Sequence, residues 1–156
     1  MIKIEAVALD VDGVLTDGSF WWGPGGEEYK RFSFTDVMGV SIGIKAGMRF
    51  TLISGEDVDQ VDRYASKMGI VDVYKGCKDK ATALRSFAEK NGIDLAHICY
   101  MGDDVNDLPA MKLAGLVAAP ANAHTSVKSI ADIVTQRSGG DGAVREVIDM
   151  ILSSKT

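Results

Sequence analysis

A chain of 156 residues is long enough to bury one substantial core and too short for two comfortable domains. Apolar residues at 46% and charged ones at 25% are the balance of a globular protein, and a net charge of -5 speaks against a general nucleic-acid or anionic-membrane surface. Two cysteines with no CxxC pair and only two histidines speak against a zinc site. With no signal-peptide pattern and no long apolar run, the chain reads as one cytoplasmic domain over 1–156 without membrane or nucleic-acid partners.

In chain order, an apolar strand over about 4–9 runs straight into Asp10-Val11-Asp12-Gly13-Val14-Leu15-Thr16-Asp17. The i, i+2 spacing sets Asp10 and Asp12 on one face of an extended segment. Two carboxylates held together there are costly unless a cation sits between them, which points to a divalent metal and to carboxylate chemistry. An Asx turn closing the strand is the competing explanation. Residues 18–34 follow, with a Gly/Pro turn between two aromatic-rich arms carrying Phe20, Trp21, Trp22, Tyr29, Phe32 and Phe34. They read as a projecting β-hairpin. A two-stranded flap this apolar is marginal in water and is expected to bury itself against another subunit.

The second strand, 50–53, ends in Ser54-Gly55, a hydroxyl and a flexible amide suited to a phosphate oxygen. Val58, Val61, Ala65 and Met68 mark a helix, 71–74 a third strand, and Ala81, Leu84 and Ala88 a second helix. Lys80 opens that helix, where the macrodipole slightly disfavours a cation. A strand at 97–101 ends in Gly102-Asp103-Asp104-Val105-Asn106-Asp107. Helix capping accounts for one or two of those four acidic or amide side chains, not readily for all. Strands at 116–118 and 132–134 precede a C-terminal helix marked by Val144, Val147, Ile148, Ile151 and Leu152, with 153–156 as a frayed tail. Strands alternating with helices predict an α/β fold, a Rossmann-like parallel sheet covered on both faces, with ligands beyond the carboxyl ends of the strands. Cys99 lies in an apolar strand and reads as a buried, reduced thiol.

The order of strand–DxD, strand–Ser, Lys and strand–GDDxxD resembles the haloacid dehalogenase superfamily over nearly the whole chain. The resemblance implies aspartyl-phosphate chemistry with Mg²⁺ as cofactor. Asp10 resembles the nucleophile and Asp12 the general acid and base. Asp10, the Asp12 backbone carbonyl and Asp103 resemble the metal ligands. Ser54, Gly55 and Lys80 resemble the phosphate clamp, and Asp107 a supporting group behind them. The hairpin, the lack of a cap-sized insertion and the ending Gly139-Gly140-Asp141-Gly142-Ala143-Val144-Arg145-Glu146 resemble one capless branch. That branch contains the 3-deoxy-manno-octulosonate 8-phosphate phosphatases and the 2-keto-3-deoxynonulosonate or sialic acid 9-phosphate phosphatases. The resemblance implies a homotetramer in which a neighbouring subunit completes each site.

The octulosonate enzymes of that branch carry arginines near positions 41, 56 and 64, where this chain has Ser41, Glu56 and Tyr64. Glu56, with Lys67 further on, resembles the nonulosonate enzymes instead. The run Ser33-Phe34-Thr35-Asp36-Val37 falls where the octulosonate enzymes show an Asn-Val-Arg-Asp-Gly-like run. Thr35, Asp36, Glu56 and Lys67 are therefore expected to contact substrate. The expectation is a sugar acid phosphate with nine carbons, and the eight-carbon compound is the alternative. A phosphoacceptor domain and a non-catalytic assembly module are the readings outside enzymology.

Overall fold

The computed structural model describes residues 3–154. Six strands form one parallel sheet: β1 (Ala6–Leu9), β4 (Arg49–Ile53), β5 (Asp72–Tyr74), β6 (Ile98–Met101), β7 (Leu116–Ala119) and β8 (Ile133–Val134). Their order across the sheet is β5-β4-β1-β6-β7-β8. β1 lies between two partners, with Leu9 opposite Leu52 on one side and Met101 on the other. The two short strands β2 (Trp21–Trp22) and β3 (Glu28–Tyr29) pair antiparallel as a separate hairpin. This is the expected Rossmann-like α/β arrangement.

Alternation along the strands divides the core. Val7, Leu9, Phe50, Leu52, Cys99 and Met101 point to one face. There they meet α1 (Phe34–Lys45), α2 (Asp59–Met68) and α6 (Ala143–Ser153). Ala6, Ala8, Ile53, Ile98, Tyr100 and Val117 point the other way, toward α3 (Lys80–Asn91), α4 (Leu108–Met111) and α5 (Thr125–Ile130). The strands at the centre, β1, β6 and β7, are covered on both faces and read Ala-Val-Ala-Leu, Ile-Cys-Tyr-Met and Leu-Val-Ala-Ala, apolar on both sides. Burial pushes the Cys99 thiol up to about 12, which keeps it protonated.

The sequence pattern leaves α1 unread. Its contact face is built from glycine rather than from large apolar residues. A Cβ on Gly39 would stand 3.1 Å from the Arg145 Cα, and one on Gly43 2.8 Å from the Phe50 ring. The helix approaches α6 and β4 too closely for side chains there. Helix α2 starts at Asp59, with Val58 flanking it in an extended conformation. Ala83, Leu84, Phe87 and Ala88 form the buried face of α3, whereas Ala81 is only half-buried. Ser153 closes α6, so the tail begins later than the pattern suggests, and residues 155–156 lie outside the described residues.

The hairpin stands away from both cores. Its paired strands are two residues each, and Phe34 belongs to α1. Trp22 is 74% exposed and Phe34 70%, while Phe20, Trp21 and Tyr29 are also exposed. Phe32 alone of the six aromatics turns inward, its ring 4.9 Å from that of Tyr64. Among the described residues no helix is long and apolar enough to cross a membrane.

Candidate active site

The carboxyl ends of β1, β4 and β6 and the start of α3 converge on one cleft of about 650 Å³. Asp10, Asp12, Gly55, Glu56, Lys80 and Asp103 line it. At its floor Asp10 Oδ1 accepts a hydrogen bond from the Val11 amide at 2.7 Å and lies 3.1 Å from Lys80 Nζ. The same ammonium lies 3.0 Å from Asp107 Oδ1. All three side chains are buried. A cation at the first position of α3 works against the helix dipole, and the two carboxylates in contact with it outweigh that penalty.

Asp107 is tied on every side. Its Oδ1 accepts from the Tyr100 hydroxyl at 2.7 Å as well as from Lys80. Its Oδ2 accepts from the backbone amides of Asp103 and Asp104 at 3.0 and 3.3 Å. Gly102 makes room for this, since a Cβ there would lie 2.5 Å from the Asp107 carboxyl carbon. Burial acts to raise the Asp107 pKa, but Lys80 and the hydrogen bonds outweigh it and hold it low. The opposite holds for its neighbours. Burial first, and then the charge of Asp107, lift Asp10 well above the usual carboxylate range, with Lys80 only partly offsetting them. Asp103 rises to about 6, again chiefly through burial.

Carboxylate oxygens of Asp10, Asp103 and Asp107 lie within 4.8 Å of one another. With Asp107 saturated by four donors, Asp10 and Asp103 are the two of this group that could hold a cation. Two carboxyls whose ionised forms are disfavoured make a cluster short of positive charge, and an all-oxygen donor set suits Mg²⁺. Gly13, at φ 84°, lets Asp103 approach the β1 loop: a Cβ on it would stand 1.8 Å from Asp103 Oδ2.

Asp12 is placed differently. Its side chain is 32% exposed, and Lys30 Nζ lies 2.8 Å from both its carboxylate oxygens. Ser54 sits just inside the cleft wall, 1% exposed, its Oγ accepting the Glu56 amide at 3.1 Å and its carbonyl the Cys77 amide at 2.9 Å. Those bonds fix the β4 loop against the loop that leads into α3.

Three of the four expected substrate residues lie outside this cleft. Asp36 is fully buried, and Oδ1 accepts the Arg145 amide at 3.0 Å. It caps the N-terminus of α6, whose own N-cap position is Gly142 and offers no side chain. Its assignment to substrate is corrected accordingly. Thr35 is exposed beside Gly142 and lines neither cavity. Lys67 lines a second groove of about 1070 Å³ between the hairpin and α2, with Tyr29, Phe32, Arg63 and Tyr64. Glu56 and Lys67 thus face different cavities. Sequence reasoning missed Lys30 and Tyr100. Strand alternation could have shown that Tyr100 points to the α3 side, but no local spacing connects Lys30 to Asp12.

A profile of haloacid dehalogenase-like hydrolases matches residues 47–148. The chain belongs to that family. Among its relatives, the 3-deoxy-D-manno-octulosonate 8-phosphate phosphatase of Salmonella typhi is 39% identical over 150 residues, 96% of this chain and 80% of that one. The Moraxella catarrhalis phosphatase of the same name, solved with a magnesium ion, a phosphate ion and KDO, gives a TM-score of 0.94. Its identity is 38%, over 97% of this chain and 87% of that one. The cobalt-bound Haemophilus influenzae phosphatase gives 0.94 at 36% identity, over 98% and 90%. This haloacid dehalogenase-like hydrolase therefore shares its whole sheet, and not only its motifs, with those enzymes.

Proposed function

We propose that the protein is a Mg²⁺-dependent phosphatase that removes the terminal phosphate of a 3-deoxy-ulosonic acid phosphate. The observation that carries this reading is the Asp10–Lys80–Asp107 array beneath an open cleft, with Asp12 at its rim. Asp10 attacks phosphorus: an Asp10 O–P bond forms as the bond from phosphorus to the sugar oxygen breaks. Asp12 delivers the proton that the departing alkoxide needs. It then takes a proton from the water that attacks the aspartyl-phosphate, releasing inorganic phosphate and restoring Asp10. Lys80, Ser54 and Gly55 hold the non-bridging oxygens, while Asp107 keeps Lys80 in place. Mg²⁺, held by Asp10, the Asp12 carbonyl and Asp103, supplies positive charge that offsets repulsion between carboxylate and phosphate.

The relatives favour 3-deoxy-D-manno-octulosonate 8-phosphate as substrate, against the expectation of a nine-carbon compound. One observation keeps the nine-carbon reading as second. Glu56 lies in the cleft, two residues past Ser54, where a carboxylate accepts hydrogen bonds from sugar hydroxyls and repels a sugar carboxylate. The test is kcat/KM for both compounds with Mg²⁺. A tenfold or greater preference, about 1.4 kcal/mol in transition-state binding, assigns the substrate. Turnover of neither, with a stable phosphoprotein instead, refutes the phosphatase reading.

The exposed hairpin aromatics support assembly into a homotetramer in which each site is completed by a neighbour. A monomer by light scattering at micromolar concentration would overturn it.

A further inference from the structure

We infer that Lys30 is a positioning residue for the acid–base carboxylate, and that the hairpin exists in part to deliver it. The inference rests on the reading of Asp12 given above. Lys30 directly follows β3, and its side chain is only 2% exposed. A lysine end group is rarely placed so deep without a partner, because stripping water from an ammonium is costly. Here the partner is Asp12, with both carboxylate oxygens at 2.8 Å from Nζ, and Glu28 Oε2 lies further off at 3.9 Å.

The geometry has a specific consequence for Asp12. The side chain is partly open to solvent and stands on a loop, with no backbone amide holding either oxygen among its described contacts. A carboxylate in that setting turns freely about its two side-chain torsions. Lys30 removes that freedom. When Asp12 carries the proton, one oxygen still accepts from Lys30 while the other presents its O–H to the departing alkoxide. After transfer, the ammonium faces the carboxylate that has formed. Proximity and orientation of this kind are a large part of what a catalytic group contributes, and small misplacements are expensive in rate.

The hairpin is itself anchored. Gln60 of α2 donates to the Glu28 carbonyl, two residues before Lys30. The anchor, the strand and the lysine form one line from α2 to Asp12, so whatever orders the hairpin also orders the acid.

The test compares leaving groups. A sugar alkoxide needs a proton as it departs, whereas p-nitrophenolate does not. kcat/KM reports only the steps through departure, so the later hydrolysis of aspartyl-phosphate does not enter. Lys30→Met and Asp12→Asn are assayed with Mg²⁺ on the preferred sugar phosphate and on p-nitrophenyl phosphate. We expect Lys30→Met to lower kcat/KM at least tenfold for the sugar phosphate and less than threefold for the aryl ester. Asp12→Asn should show the same contrast at larger size. The retained aryl reaction also reports that the variant is folded. Equal losses on both substrates, or no loss on either, overturn the role of Lys30 while leaving that of Asp12 intact. If Asp12→Asn treats the two substrates alike, the reading of Asp12 as acid fails, and the assignment of Lys30 fails with it.

Discussion

Asp36→Ala separates a structural carboxylate from a substrate-binding one. Asp36 is fully buried and serves the first turn of α6, accepting from Arg145 at 3.0 Å, with the Gly142 and Val144 amides also close enough to favour its anion. Losing an N-cap acceptor costs about 1–2 kcal/mol. Leaving a buried amide without a partner adds roughly 1–3 kcal/mol. Against this stands relief from burying a carboxylate, since burial raises the Asp36 pKa despite the amides. A net loss of about 2 kcal/mol remains, or roughly 4–8 °C in Tm for a domain of this size. Helix α6 stays docked, because Val144, Val147, Ile148 and Ile151 are all buried. The sign of the pH dependence follows from the raised value. Above the ordinary 3.8 the unfolded chain is ionised while the folded one retains its proton, so this group's share of stability falls as pH rises toward the folded value. The variant should lose that component. Urea unfolding across pH, paired with kcat/KM at saturating Mg²⁺, is the measurement. An unchanged midpoint with a tenfold loss of kcat/KM would show that Asp36 touches substrate and would refute the capping argument.

Asp10→Asn should keep the fold and lose several decades in kcat, because the amide preserves the shape of the loop but cannot attack phosphorus. Retention of a tenth of the activity removes Asp10 as nucleophile. Chelation should abolish turnover, and Mg²⁺ should raise Tm. Since burial pushes the Asp103 carboxyl up to about 6, its deprotonation alone should raise Mg²⁺ affinity by about tenfold in all as pH passes from about 5 to 7. An affinity flat over that range contradicts a role for Asp103 as ligand. Gly13→Ala should weaken Mg²⁺ binding and activity at least tenfold, because its Cβ would fall 1.8 Å from Asp103 Oδ2 and its φ of 84° strains any other residue. Calorimetric titration that finds wild-type Mg²⁺ affinity in this variant would rule the argument out.

All six sheet strands were legible in the sequence, β1, β6 and β7 as continuous apolar runs and the others as short β-rich segments between helical patterns. The residues at their carboxyl ends were legible for the same reason: once Leu9 and Met101 are placed, Asp10 and Asp103 follow. Helix α1 was hidden because close packing replaced its apolar marks with Gly39 and Gly43. Helices α4 and α5, at four and six residues, are too short to display a period. Asp36 misled because its partner, the Arg145 amide, is 109 positions away, and a cap supplied from another helix leaves no local signature. Lys30 went unread for a related reason. Its meaning depends on how the hairpin folds back over the β1 loop.

The central position of β1 has a consequence for how the molecule comes into being. Its two pairing edges wait for segments that begin at Arg49 and Ile98. A chain emerging from the ribosome therefore carries an apolar strand with at least one edge unpaired until β6 has been made. Long-range parallel pairing is slow to form and exposes such segments to aggregation meanwhile. The cleft needs still more, because its far wall comes from residues that follow β6. A nascent fragment ending before residue 98 would hold Asp10 on a strand with one edge open, and would have neither Asp103 beside it nor Asp107 to pair with Lys80.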